Sequence, residues 1–424
     1  MAINTSATLS ADMQVYMRDE LLDIAEKNVV FAQYALKATI PQHNSKTIQF
    51  TRYPRLFLPD TPATEGVTPT ETADLRVQTI QAVTDQWILI VSRTDIADIT
   101  VKHPLVSTIT ELLGLAEAEI VDREIQKVLM AGTSVSFANN RTSRGALTAS
   151  DTMNEVEVRK LWALLRRQGA RPVNKPHYIM IVDPEVSQDI SNRDQFIDVH
   201  SLVNVQAVYN NQIGNFLGFT FVVSNFIPDI ELLADADWTI DSDDATSGSS
   251  FTAGQIVFAK IEAIDEEAGM VENVSNPLSV TITNNGDAVQ ITVPSTTGFR
   301  YNVYVSTTNN TSTDASLRRV ATGLAPSTVL TVNSFSTSGV TPQATPATGI
   351  TVHTSYALGE QAYGMVSLSG DNLRVLMTKN EATDSDPAAQ RRKITLKGSF
   401  KAVILNNDFY RRFESASAFD VVGT

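Results

Sequence analysis

A series of short alternating segments in the second half of the chain constrains the fold most strongly, because it interrupts a different pattern. Six segments between residues 255 and 335 alternate apolar with polar residues, are separated by Asn, Gly, Ser, Thr and Pro, and show no helical period. Such a series is typical of a β-sandwich. The residues before 229 and after 349 mix helical and strand patterns. The sequence therefore predicts an α+β protein with an inserted β-sandwich at 229–349, whose two ends lie close together.

A long helix is predicted from Pro104 to Met130. Its apolar residues recur with the 3.6-residue period, and proline occupies the first turn. At 1.5 Å per residue the helix would be roughly 40 Å long, which is more than a small domain requires. We expect Leu112, Leu113 and Ile120 to lie on its buried face.

The first 94 residues are predicted to form a helical arm and two strands around a long loop. Residues 10–39 have helix-like apolar spacing, and "KTIQFTRY" (46–53) alternates like a half-exposed strand. In the second strand, within "DLRVQTIQAVTDQWILIVSRTD", the alternating apolar positions shift by one residue, which indicates a β-bulge. The uninterrupted apolar run Trp87–Val91 that follows indicates a strand in a sheet covered on both faces. About 30 residues between the strands have no core pattern, and long loops inside compact domains are usually functional.

The remaining α+β segments have local start and stop signals. A helix is predicted over 155–168, and "HYIMIVDPEVSQDI" predicts a buried strand followed by a helix with Asp183 as its cap and Pro184 in its first turn. A further strand is predicted from Leu217 to Val223. After residue 349, "SYALGEQAYG" is compatible with a helix, and the basic "RRKITLKGSFKAVIL" predicts a strand near the C-terminus.

Charge and composition exclude several function classes. The formal net charge of −14 at pH 7 would repel nucleic acid and anionic membranes unless basic residues were segregated onto one face. The absence of cysteine excludes disulfides, thiolate metal sites and a cysteine nucleophile. No stretch approaches the roughly 20 apolar residues of a membrane span. The basic residues at 391–393 and 411–412 could contact nucleic acid or pair with acidic neighbours, and the sequence leaves both possibilities open.

Residues that could carry catalysis or bind metal are scattered. The five histidines occur singly, without a partner at ligand spacing, and each is interpreted as a surface or structural residue. Neither a phosphate-binding glycine-rich loop nor a Gly-x-Ser-x-Gly nucleophile motif is present. The acidic residues between 235 and 244 lack the glycine and glutamate of an EF-hand and are interpreted as a solvated linker. The sequence therefore predicts no enzyme, no cofactor and no metal site.

The order of these elements resembles that of the major capsid proteins of tailed bacteriophages with the Hong Kong 97-type fold, and most closely the N4-like branch. The resemblance spans nearly the whole chain outside 229–349. It is carried by "FAQYALKATIPQHNSKTIQFTRYPRL", "TPATEGVTP", "ELLGLAEAEIVDREIQKVLMAGTSV", "GFTFVVSNFIPD", "LGEQAYGMVSL" and "SDPAAQRRKITLKGSFKAVILNNDFYRRFESAS".

The resemblance implies a defined division of the chain. The inserted β-sandwich looks like the immunoglobulin-type or fibronectin-type domains that some phage capsids carry on the outer surface. The implied parts are an N-terminal arm (1–45), an extended loop hairpin (46–93), a peripheral domain with the spine helix (94–150 and 379–424), an axial domain (151–228 and 350–378) and the inserted immunoglobulin-like domain (229–349).

The implied function is assembly. Many copies would form the hexamers and pentamers of an icosahedral head, located in the virion capsid around double-stranded DNA that is contacted on the inner face without sequence specificity. A portal and a scaffolding protein are the expected partners, and no membrane is involved. The N-terminus lacks a basic start followed by an apolar run, so we expect synthesis in the host cytoplasm.

The long loop is the candidate contact between subunits. An extended arm of about 15 residues reaches up to roughly 50 Å, far enough to leave its own domain. We predict that a neighbouring subunit buries its apolar residues and that its charged residues pair across that boundary; the alternative is a loop packed on its own domain. The predicted contact residues are Arg55, Leu56, Phe57, Leu58, Asp60, Glu65, Val67, Glu71 and Arg76.

Two other classes of protein remain as alternatives. A bacterial encapsulin-like nanocompartment shell shares the implied fold and would be favoured by a neighbouring gene for a cargo enzyme rather than portal and terminase genes. An adhesin or carbohydrate-binding protein would explain the β-sandwich but gives the long helix and the extended loop no purpose.

Overall fold

The computed structural model describes residues 30–419, except for positions 44, 55, 57, 59–61, 63–64, 67–74, 95–104, 174, 193–214, 244–248, 267–268, 308–314, 335–337, 370, 372–373 and 378–390. Within these residues no helix has both the length and the apolar character needed to cross a membrane. The helices are α1 (Phe31–Tyr34), α2 (Leu105–Ala131), α3 (Glu155–Arg167) and α4 (Pro184–Ser191).

A six-stranded sheet forms the centre of the molecule. On one of its faces α3 and α4 pack against Tyr178, Met180 and Val182, and on the other face α1 and the C-terminal half of α2 pack against Ile179 and Ile181. The uninterrupted apolar run of this central strand is required because helices cover both of its faces. The strands, in spatial order, are β5 (Val135–Phe137), β22 (Tyr410–Ser415), β18 (His353–Leu358), β6 (Tyr178–Val182), β8 (Phe219–Val223) and β7 (Asn215–Phe216).

A second sheet lies against the N-terminal half of α2. Leu113 of the helix packs there with Ile394 and Leu396. Because α2 contacts both sheets, its 27 residues connect two packed layers, which accounts for its length. The sheet runs in the order β1 (Leu36–Ile40), β19 (Tyr363–Leu368), β21 (Arg391–Ile404) and β20 (Arg374–Met377), and β4 (Asp85–Thr94) pairs with β21.

Two further sheets, formed within residues 231–332, enclose a core of their own, to which Trp238, Ile261, Ile291 and Val303 contribute. All six predicted strands of this segment are present, and the sequence analysis missed three more: Glu231–Leu233, Thr239–Asp243 and Val271–Ser275. One sheet is β10 (Thr239–Asp243), β14 (Ala288–Thr292) and β17 (Val329–Val332); the other is β16 (Arg318–Leu324), β15 (Phe299–Ser306), β11 (Ile256–Asp265), β12 (Val271–Ser275) and β9 (Glu231–Leu233), with β13 (Leu278–Thr281) also pairing with β11.

The two ends of this segment lie side by side, as the sequence predicted. The amide of Ile230 donates to the carbonyl of Val352 at 3.0 Å, and the amide of Val352 donates to the carbonyl of Ile230 at 2.9 Å. The chain therefore leaves the central sheet and returns to it at one point.

Several predicted elements differ from those observed. Residues 36–40 form strand β1, parallel to β19, instead of continuing a helix, and the rest of the predicted arm before residue 30 lies outside the described residues. The sequence "SYALGEQAYG" contributes to strands β18 and β19 rather than to a helix, because β18 is paired on both sides, with β22 and β6. Here tertiary pairing overrides local propensity.

The predicted bulge is also absent. The pairing of β2 (Thr47–Arg52) with β3 (Gln78–Val83) keeps one register throughout. The shift in apolar phase instead falls at Thr84, whose amide donates to the carbonyl of Lys46 at 3.0 Å. Beyond this residue the chain leaves β2 and pairs with β21 as β4.

Candidate subunit interface

The antiparallel pair β2 and β3 positions the long loop. Its base packs on the second sheet, where Ile48 and Phe50 contact the cluster that contains Ile40. Its far end is closed by Arg52, whose Nε and Nη2 atoms donate to Oε1 of Gln78 at 3.1 and 2.7 Å. The loop at 53–77 therefore begins and ends at the far end of a short two-stranded ribbon whose base packs on the second sheet.

Apolar side chains in and beside this loop are exposed in the single subunit. Leu58 is 88% exposed, Leu75 is 64% exposed and Tyr53 is 59% exposed. Half of the large hydrophobic side chains that are exposed in the described part of the chain lie between residues 53 and 90. Scattered apolar side chains are normal on a protein surface, whereas a concentration of this kind marks a site of interaction.

The predicted contact residues fall into two groups. Leu56, Leu58, Glu65 and Arg76 have exposed side chains, so in the single subunit they remain accessible. Burial of the apolar members by a neighbouring subunit stays a prediction. The other predicted residues lie outside the described residues: Arg55, Phe57, Asp60, Val67 and Glu71.

Strand β4 continues the exposed apolar surface. Ile88, Leu89 and Ile90 are exposed, so the prediction that this run enters a covered sheet is wrong for the single subunit. Trp87 is partly buried and stacks on Phe400, with ring centroids 5.7 Å apart. Among the described residues, β4 pairs only with β21. A cavity of about 270 Å³ lies between β4 and α2. An apolar run in a sequence cannot distinguish burial within a subunit from burial between subunits.

The apolar stripe of α2 includes only part of the predicted set. Leu113 is 2% exposed, and Ile120 is partly buried between two core clusters. Leu112 is 43% exposed, so its predicted position on the buried face is wrong. Successive residues of a helix differ by about 100° in direction, and adjacent leucines therefore cannot share a narrow buried face.

A buried carboxylate on α2 fixes the start of the described chain, and the sequence analysis missed it. Asp122 accepts hydrogen bonds through Oδ2 from the amides of Val30 and Phe31 at 2.7 and 2.9 Å, and through Oδ1 from the amide of Ala32 at 2.8 Å. Burial raises the pKa of Asp122, although these three amides favour its ionised form. No local signal identifies this contact, because the partners are about 90 residues apart.

A buried ion pair lies between the inserted segment and the central sheet. Arg144 donates through Nε and Nη2 to both carboxylate oxygens of Glu414, each at 2.7 Å, and through Nη1 to the carbonyl of Ala344 at 2.9 Å. Burial alone raises the pKa of Glu414, but Arg144 and Arg412 hold it below its ordinary value. The same Nη1 atom of Arg144 also donates to Oε1 of Gln343 in the inserted segment at 3.3 Å. The segment is therefore held to the central sheet by polar contacts as well as by the chain itself.

The sequence matches the profile of a family described as phage capsid protein over residues 77–304, which is more than half of the chain. A comparison with curated proteins finds no significant match. Solved phage structures nevertheless share the fold over almost their whole length.

The head protein of Helicobacter pylori bacteriophage KHP40 has a TM-score of 0.55 at 9% identity, covering 98% of this chain and 99% of that chain. The capsid protein of cyanophage Pam1 has a TM-score of 0.54 at 10% identity, with coverage of 99% and 100%. That of cyanophage P-SCSP1u has a TM-score of 0.51 at 13% identity, with coverage of 99% and 97%. These structures share the fold of this chain, and the family profile establishes that the chain belongs to the phage capsid protein family.

Proposed function

We propose that this capsid protein is the major capsid protein of a tailed double-stranded DNA phage and that it self-assembles into the hexamers and pentamers of an icosahedral head. As a phage capsid protein, the chain is located in the virion capsid. The observation that carries the proposal is the concentration of exposed apolar side chains on the loop and on β4. Such a surface is unfavourable in water and favours burial against another subunit.

The proposed fold is of the Hong Kong 97 type, in the N4-like branch. In that description α2 is the spine helix, β2 and β3 carry the extended loop, and residues 229–349 are an inserted immunoglobulin-like domain on the outer surface. The position of α2 between two sheets supports the first assignment. The separate core of the inserted segment and its adjacent ends support the last.

Repeated weak contacts are sufficient for a closed shell. Each loop contact adds to others in the same lattice through effective concentration, so no single contact needs to be strong and misplaced subunits can still dissociate. The net charge of −14 limits nonspecific adhesion of the subunit to packaged DNA. A portal and a scaffolding protein are the proposed further partners. The proposed role is structural, without catalysis.

The loop contact can be tested with a double variant, Leu56→Asp and Leu58→Asp. Both side chains are exposed in the single subunit, so folding should be unaffected, whereas two charges would be buried in the assembled contact at high cost. We expect a circular dichroism spectrum and a thermal midpoint close to those of the wild type. Electron microscopy should show isolated subunits or capsomers in place of closed shells.

A matched control is Val329→Asp, which places a charge at an exposed apolar position of the inserted segment. This variant should still form shells. Deletion of residues 58–72 provides a second test, because it leaves the pairing of β2 with β3 intact. Normal shells from the double variant or the deletion would contradict the proposed contact.

The inserted segment can be tested by replacing residues 231–351 with a short Gly/Ser linker. Because Ile230 and Val352 are hydrogen-bonded neighbours, a few residues can connect them without distorting the central sheet. Shells should still form, with reduced stability or reduced attachment to the host surface. An insoluble product without any shells would contradict the proposal that this segment is a separate domain.

A further inference from the structure

One histidine and three carboxylates converge where the inserted segment joins the central sheet. His353 begins β18, Asp183 follows β6, Glu185 lies in the first turn of α4 and Asp229 precedes Ile230. One ligand atom from each of the four side chains lies within 4.8 Å of the others. His353 and Asp183 are buried, and Glu185 and Asp229 are partly buried.

The hydrogen bonds within the cluster are incomplete. Nδ1 of His353 lies 2.8 Å from Oδ2 of Asp183 and 2.9 Å from Oδ1 of Asp229. A single imidazole N–H group can donate well to only one of these oxygens. Oδ1 of Asp229 is shielded from solvent, and apart from this shared contact with His353 it has no hydrogen-bond partner among the described residues. An unsatisfied buried carboxylate oxygen is costly, and this one faces the shared centre of the cluster.

The position of Asp183 is a second, separate observation. This residue precedes α4, where a capping side chain would accept a hydrogen bond from a backbone amide of the first turn, yet its side chain makes no capping hydrogen bond. Its carboxylate is instead directed at His353. The prediction that the Asp183 side chain caps α4 is therefore wrong. Aspartate is strongly preferred at this position because it can cap the helix, but here its carboxylate contacts the cluster instead.

We propose that Asp183, Glu185, Asp229 and His353 bind one divalent transition-metal cation, Zn²⁺ or Mn²⁺, which fastens the base of the inserted segment to the central sheet. An imidazole nitrogen with carboxylate oxygens is a donor set that these cations accept, whereas Ca²⁺ and Mg²⁺ prefer oxygen ligands alone. A cation would also balance the three carboxylates that face one imidazole. The alternative occupant is a proton that makes His353 an imidazolium, and the experiment separates the two.

The site would act on the connection between the two parts of the chain. Asp183 directly follows β6 of the central sheet, Asp229 lies on the outgoing chain, and His353 begins β18 on the returning chain. Asp229 and His353 are each next to the Ile230–Val352 pair. A cation held by all three would fix both crossings to the sheet at once. This proposal goes beyond the assembly function and does not depend on the loop contact.

The test uses the purified full-length chain after treatment with a chelator. Titration with ZnCl₂ and, separately, MnCl₂ should show saturable binding of one cation per chain by calorimetry, and the bound cation should raise the thermal midpoint. The variant Asp229→Asn keeps the size of the side chain but removes a charged ligand, and the wild-type side chain is 41% exposed, so the variant should fold. We expect binding at least roughly tenfold weaker than in the wild type and no metal-dependent rise of the midpoint.

The matched control is Glu231→Gln, which removes a carboxylate from the adjacent strand β9 outside the cluster and should bind like the wild type. X-ray absorption of the zinc-loaded chain should show one nitrogen ligand from histidine with oxygen ligands. The proposal is overturned if neither cation binds saturably, or if Asp229→Asn binds as tightly as Glu231→Gln. Shell formation is scored separately by microscopy, so failure of the metal site leaves the assembly function to its own test.

Discussion

The replacement Asp122→Ala should detach the start of the described chain from α2. The carboxylate accepts hydrogen bonds from three successive amides, two of which are buried together with it. Phe31, the residue between them, is fully buried and meets Tyr356 edge-on, with ring centroids 5.3 Å apart. Tyr363 also donates to the carbonyl of Phe31 at 2.7 Å. Alanine would leave the amides without an acceptor in a place that water reaches poorly.

The expected loss can be worked out from these contacts. A buried donor left unsatisfied costs about 1–3 kcal/mol, so the two buried amides together predict a loss of roughly 2–6 kcal/mol in the free energy of unfolding. Asp122→Asn keeps one carbonyl oxygen and should lose about half as much. Guanidinium-induced unfolding of the unassembled subunit, followed by circular dichroism, measures both values.

The control for this experiment is Glu117→Gln, which changes a partly exposed carboxylate five positions earlier on the same helix. It should change the free energy of unfolding by less than about 0.5 kcal/mol. Limited proteolysis adds a local readout, because cleavage near residues 30–35 should be faster in Asp122→Ala. If Asp122→Ala and Glu117→Gln have equal midpoints and equal cleavage rates, the three amides do not depend on this carboxylate and the reasoning is refuted.

Three further outcomes are expected. Leu113→Ala should reduce the free energy of unfolding by about 2–5 kcal/mol through lost burial and a cavity, whereas Leu112→Ala should cost less than about 1 kcal/mol; equal effects in denaturant unfolding would contradict the observed stripe. Arg144→Ala leaves Glu414 buried without its main partner and should cost about 3–5 kcal/mol in the same assay, and a neutral result would show that the charge is compensated elsewhere. Burial alone raises the pKa of Asp151, but hydrogen bonds from an arginine, a threonine and an asparagine lower it to about 2, below the ordinary 3.8. Its stabilising effect should be complete above pH 3.8 and lost as the pH falls toward 2, so Asp151→Asn should flatten that part of the stability profile.

Elements encoded by local patterns were predictable from the sequence. Helix α2 begins and ends within one residue of its predicted bounds, and α3 ends one residue early, at Arg167. Asn154 caps α3 by accepting from the amides of Val156 and Glu157 at 3.0 and 3.1 Å, which is the kind of signal that short windows of sequence contain. Six strands of the inserted segment follow from alternation in the same way.

Contacts between distant parts of the chain were not predictable. The histidines were interpreted as single residues, but His353 lies against Asp183, which is 170 positions away. The same holds for Asp122 and the amides that it binds. Exposure was also misjudged at Ile88 and Leu112, because an apolar residue indicates burial without indicating which surface covers it.

The adjacent ends of the inserted segment have a consequence for the order of folding. Strand β18 must find β6 across about 170 residues, most of which belong to the inserted segment, and closing an unfolded loop of that length is entropically costly. If the inserted segment folds first, the pair Ile230 and Val352 brings its two ends together and shortens the effective loop between β6 and β18 to about 50 residues. Since the closure cost varies as (3/2)RT ln n, this order lowers it by about 1 kcal/mol. The inserted segment would thus act as the template on which the strands that precede it and the strands that follow it complete one sheet.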